Sequence, residues 1–119
     1  MSSEQSDAIQ RIIQEYVPGR QVTLAHIIAN PLRTMYAKLG LEEGSCGAIG
    51  IMTITPGEGV IIAADIATKT AAVDIGFLDR TGGSLLINGD VASVEAALKA
   101  VMDYFDSVLR YASAAITRS

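Results

Sequence analysis

Cysteine, tryptophan and charge are scarce in this chain of 119 residues, and each scarcity excludes something. A single cysteine, Cys46, cannot close an intramolecular disulfide, which fits a reducing cytoplasm. Tryptophan is absent and aromatics make up only 5%, so a core or an interface has to be built from Ala, Val, Ile and Leu. Only 18% of residues are charged while half are apolar, and mean hydropathy is +0.35. For one small domain that is more apolar surface than a core absorbs, and subunit interfaces are the usual destination. The nine basic residues are scattered against thirteen acidic ones, with a net charge of −4 and a pI near 4.8. That argues against a nucleic-acid partner. Charges, Gly or Pro interrupt every apolar run before it reaches bilayer length, and MSSEQSDAIQ lacks a signal-peptide layout, so no membrane partner is expected.

What is present reads as one domain over residues 1–119. Residues 1–10 form a polar, disordered tail. IQRIIQEYV is open between helix and strand, since Ile9, Ile12, Ile13 and Tyr16 fit a helical face and Ile13 to Val17 fit a strand; Pro18-Gly19 ends it. QVTLAHIIA reads as a buried strand stopped by Asn30-Pro31. LRTMYAKLG reads as a short helix with Leu32, Met35, Tyr36 and Leu39 on its apolar face and Gly40 as its cap. AIGIMTIT is a second buried strand, and 57–70 a helix with a mostly small apolar face. AVDIGFL alternates, placing Val73, Ile75 and Phe77 on one side, and the turn DRTGGS leads to SLLIN. Asp90 is a good N-cap for a long helix reaching about Arg110, with Val91, Val94, Leu98, Val101, Phe105, Val108 and Leu109 as its stripe. YASAAIT closes the chain as a final strand. Strands interleaved with helices at these lengths give an α+β sandwich of ferredoxin-like topology, with one strand candidate too many for its four-stranded version.

No constellation of reactive residues emerges. His26 lies in TLAHIIAN with no second ligand at a recognised spacing, which makes it a structural or interface histidine. Cys46 in GSCG has no CxxC partner, so it reads as a small residue in a turn. Only symmetry bringing several copies together would let it hold a cluster. DRTGGS is no P-loop: GxxxxGK[ST] is missing, and a strand rather than a helix follows. Asp65, Asp74, Asp79 and Asp90 sit on separate elements, so spacing implies no carboxylate pair. No catalytic residues, cofactor or metal are expected, and the chain reads as a non-enzyme.

Several stretches together resemble the BMC-domain shell proteins of bacterial microcompartments. AIGIMTITPGEGVIIAADIATKTAAVDIGFLD is similar to that family's first strand, first helix and second strand, and LLINGDVASVEAALKAV to its third strand and long helix. HIIANPLRTMYAKLG, which ordinary members carry at the C-terminus, here precedes the first strand. That order, with IIQEYVPGRQVTLAHIIANP and FLDRTGGSLLINGDV, resembles the circularly permuted subfamily of propanediol- and ethanolamine-utilisation compartments.

The resemblance implies a homohexameric facet subunit of a microcompartment shell in the bacterial cytoplasm, with other BMC shell proteins as partners. Encapsulated enzymes or their targeting helices are further candidates. It implies that Asp79, Arg80, Thr81, Gly82, Gly83 and Ser84 line or flank a sixfold pore. Ile12, Ile13, Gln14, Glu15, Tyr16 and Val17, within a strand over 11–18, would pair with five copies of themselves as a six-stranded parallel barrel capping it. Lys69 and Asn30 would lie at the hexamer edge; separately, the glycine pair Gly44 and Gly47 of the loop reads as a hinge. Asn30 stands where ordinary members often carry Arg. The rival reading is a small oligomeric ferredoxin-like metabolite-binding regulatory module, with Arg80 and Thr81 holding an anion.

Overall fold

The computed structural model describes residues 19–41 and 47–119. The chain runs β1 (Gln21–Ala29), α1 (Arg33–Lys38), β2 (Ala48–Thr55), α2 (Gly59–Thr70), β3 (Asp74–Asp79), β4 (Ser84–Gly89), α3 (Val91–Ser107), β5 (Ala112–Ser113) and β6 (Thr117–Arg118). The sheet order is β3-β4-β2-β1, and both short last strands lie along the free side of β1. Neighbours in the main sheet are antiparallel, whereas β5 and β6 run parallel to β1. The surplus strand of the sequence is therefore an addition to the β1 edge, divided into two two-residue pieces.

β2 and β4 read as continuous apolar runs because both of their faces are covered. On one face Met52, Ile54, Leu85 and Ile87 meet α2 and α3. On the other, Ile49 and Leu86 pack under Tyr36 of α1, flanked by Ile28, Leu41 and Ile51. α2 turns Gly59, Val60, Ala63, Ala64 and Ala67 inward, and these small residues bring its backbone close to sheet and α3. Its large residues Ile61 and Ile62 face outward, 49% and 40% exposed.

Several sequence expectations need correction. α1 buries only Tyr36 of its four expected apolar positions; Leu32 is its N-cap and 75% exposed, and Leu39 is exposed too. Val73, Ile75 and Phe77 do not share a side. β3 is irregular between Ile75 and Phe77, which breaks the alternation, and at the sheet edge both side chains stay exposed while Val73 is buried just before the strand. α2 starts at Gly59, two residues later than expected. α3 stops at Ser107 rather than Arg110, leaving Val108 57% exposed and Arg110 at φ +61. The cause is tertiary: the chain turns back so that the Tyr111 N–H reaches the Phe105 carbonyl at 2.8 Å and the two rings meet edge to face.

The start of α3 follows the expectation. Asp90, extended at φ −71 and ψ 161, accepts the Ser93 N–H at 2.8 Å and the Ser93 hydroxyl at 2.9 Å. The Ser93 N–H, then its hydroxyl, hold the Asp90 carboxyl below its ordinary value of 3.8. A lowered folded value means that stability is present above the unfolded value and lost as pH falls through the folded one. Asp90→Ala should therefore lower the urea midpoint at neutral pH, with the gap to the parent narrowing as pH drops below 3.8. A gap that stays constant down to about pH 2 would show that the carboxylate charge is not what caps the helix.

Candidate functional site

The hairpin between β3 and β4 is built by its own side chains. The Asp79 carboxylate accepts the N–H groups of Thr81 and Gly82 at 3.0 and 3.1 Å, an Asx-type turn that spends the acid on local backbone. The Gly83 N–H returns to the Asp79 carbonyl at 2.8 Å, closing the loop. The turn is fastened to the end of β2, because the Ile54 N–H donates to the Gly83 carbonyl at 2.8 Å. Gly83 is buried at φ +77, and a Cβ there would overlap the Ile54 carbonyl oxygen. Arg80 and Thr81 project from this anchored base as exposed side chains, and Ser84 is half-buried at the start of β4. The structure thus brings Asp79, Arg80, Thr81, Gly82, Gly83 and Ser84 together on one hairpin tip, with Gly83 buried at its base and Arg80 and Thr81 in solvent.

The other expected positions lie apart from it. Lys69 is in the last turn of α2 and pairs with Asp65 one turn earlier at 2.9 Å, with both side chains mostly in solvent. Such an exposed pair opens at little cost, which leaves the ammonium available to another acceptor. Asn30 is exposed just after β1 at φ +52, a conformation that asparagine tolerates better than most residues, and its N–H donates to the Gly47 carbonyl at 2.6 Å. Gly47, at φ +130, lies so close to Asp90 that a Cβ would come within 2.9 Å of the Asp90 Cα. Ile12, Ile13, Gln14, Glu15, Tyr16, Val17, Gly44 and Cys46 lie outside the described residues.

His26 is engaged by two hydroxyls. Nδ1 lies 2.6 Å from the Thr117 hydroxyl and Nε2 2.8 Å from the Ser119 hydroxyl. These contacts span more than ninety residues of chain, so no local spacing could have signalled them. A shallow cavity of about 450 Å³ opens near the start of β1, lined by Gln21, Thr23, Asp106, Tyr111 and Ser113 among others. Among the described residues no group of three or more His, Cys, Asp or Glu is placed to hold a metal, and no helix is long and apolar enough to cross a membrane.

The BMC domain family model matches residues 48–118. The bacterial microcompartment shell protein PduU of Salmonella typhimurium is 53% identical over 116 residues, covering 98% of this chain and 99% of PduU. Among solved structures, the CutR flat hexamer, form 1, superposes with a TM-score of 0.81 at 46% identity, over 87% of this chain and 94% of that one. The CutR screw with a 41.9 Å pitch gives 0.80 at 45% identity, over 86% and 100%.

Proposed function

The chain belongs to the BMC-domain family, and from that membership we propose that it works as a non-enzymatic shell subunit of a bacterial microcompartment, a hexamer in a shell facet inside the cytoplasm. One observation carries this: near-complete coverage at 53% identity by a named shell protein, joined to a superposition on a relative solved as a hexamer. The regulatory-module alternative is not favoured, since the relatives are named shell proteins.

The subunit is circularly permuted. In support, the family match begins at residue 48 and omits β1, yet β1 pairs with β2 along almost its whole length and belongs to the same sheet. A strand that the sheet requires is supplied from ahead of the family core. In the hexamer the Asp79–Ser84 tips flank the sixfold axis, and Ile12 to Val17 of six copies close a parallel barrel over it. A closed ring satisfies the backbone of strands too short to be stable alone. The capped pore restricts passage of small metabolites, and the outer face of the barrel offers a dock for lumen enzymes or their targeting helices. Hexamers tile through edges carrying Lys69 and Asn30, against other shell proteins or copies of themselves. CutR is known both as a flat hexamer and as a screw, which favours a bend between subunits here too. The Gly44 and Gly47 pair is the hinge for that bend.

Native mass with negative-stain microscopy on the same sample tests this reading. The parent should be a hexamer forming sheets or tubes at high concentration, and Lys69→Ala should keep the hexamer while losing the sheets. Deleting residues 1–17 should leave the hexamer and open its centre. A monomer, dimer or trimer that never tiles would sink the shell reading, whereas loss of the hexamer on deletion would refute only the capping role.

A further inference from the structure

The outer edge of β1 is covered by residues 112–119, and the cover is attached in an uneven way. Its near end is anchored by apolar contact, with Tyr111 buried and its ring 4.8 Å from that of Phe105 at 70°. Beyond Tyr111 no residue is buried; Ser113, Ala115, Ile116, Thr117, Arg118 and Ser119 are all exposed. Polar contacts hold this part. The Ala114 N–H donates to the Val22 carbonyl, the Ser119 N–H to that of Ile27, and the Ala29 N–H to that of Ser119, each at 2.9 Å. His26 grips the Thr117 and Ser119 hydroxyls with its two ring nitrogens, and Arg118 reaches across to Glu95 on α3. The pairing is broken between β5 and β6, near the irregularity of β1 at Val22/Leu24. A segment with polar clasps and little buried apolar surface opens locally long before the fold does.

Uncovered, β1 would present a nine-residue edge of unpaired N–H and C=O groups, with none of the Pro or charge that usually blunts such an edge. Gln21–Ala29 carries no Lys, Arg, Asp or Glu, so two copies can approach antiparallel without like-charge repulsion. Such pairing is self-complementary about a two-fold axis. We infer that residues 112–119 are a releasable strap, clasped by His26, over a strand-docking edge of β1, and that the strand this edge accepts when the strap is off is β1 of a second copy. The inference rests on the fold alone and is independent of the shell reading.

A point variant of the full chain and a shortened chain test it. His26→Ala should raise amide exchange at Ala29 and Ser119 by about tenfold while core amides such as Met52 and Val101 keep their protection. Ending the chain after Ala114 keeps Tyr111 on Phe105 but removes the clasped half. This shortened chain should associate through pairs of copies, seen by sedimentation as a state larger than the parent's, and adding Leu24→Lys, a charge on β1, should return it to the parent's state. Unchanged exchange in His26→Ala overturns the clasp. A shortened chain whose assembly state matches the parent's overturns the docking edge. So does association that Leu24→Lys leaves intact, because simple misfolding would behave that way.

Discussion

Phe105→Ala should remove about 4 kcal/mol of stability, the usual loss for a fully buried phenylalanine. Phe105 has no exposed surface, and it joins three parts of the fold. Its ring receives the edge of Tyr111, its carbonyl accepts the Tyr111 N–H, and its far side approaches Gly59 at the start of α2. Truncation therefore leaves a cavity at the junction of α2, α3 and the segment that returns to β1. Neighbouring α2 can collapse only slightly into it, because the α2 residues facing inward are already small. At about 4 to 8 °C per kcal/mol for a domain near this size, the melting midpoint should fall by roughly 20 °C. Urea unfolding measures the loss directly. Tyr104→Ala is the control: its side chain is 39% exposed one position away, and it should change stability by no more than about 0.5 kcal/mol. Equal losses for the two variants would place the structural joint elsewhere on α3.

The parts of the fold legible in the sequence are those that local pattern decides. β2 and β4 announce themselves as unbroken apolar runs, the Asp90 cap lies before a clear 3.6-residue stripe, and the paired glycines of DRTGGS mark a hairpin. Long-range contacts decide the parts that were misread. The apolar stripe runs on past Ser107, and α3 ends because Tyr111, six residues beyond Phe105, folds back onto it, a contact that periodicity does not encode. Periodicity assigned Leu32 and Leu39 to a buried face, but α1 is six residues long and covers the sheet mainly through Tyr36. The alternation of β3 predicted one apolar side because a bulge leaves no mark in a hydropathy pattern. For the candidate site, position in the chain was readable and attachment was not. The fastening of Gly83 to Ile54 joins residues 29 apart, and the partners of His26 are more than ninety residues away.

That fastening sets up the sharpest contrast available in the hairpin, between two adjacent glycines. A Cβ at Gly82 would meet the Asp79 carboxylate oxygen at 2.6 Å, on a flexible side chain that can shift at the expense of its bonds to the Thr81 and Gly82 N–H groups. A Cβ at Gly83 would overlap the Ile54 carbonyl, which is held in the β2 backbone, and the φ of +77 is itself unfavourable for alanine. Conformational strain of about 1 kcal/mol or more then adds to a clash that only separating the tip from β2 relieves. Gly83→Ala should lose about 3 kcal/mol and Gly82→Ala under about 1 kcal/mol. The functional consequence follows from the tip's place in the proposed assembly. Below its own melting midpoint, Gly83→Ala should retain the α2 and α3 core, read as native helical circular dichroism. Its hexamer should nonetheless dissociate at subunit concentrations where Gly82→Ala and the parent remain assembled. Equal hexamer stability in both glycine variants would mean that the Asp79–Ser84 tip is a monomer feature alone and does not flank the sixfold axis.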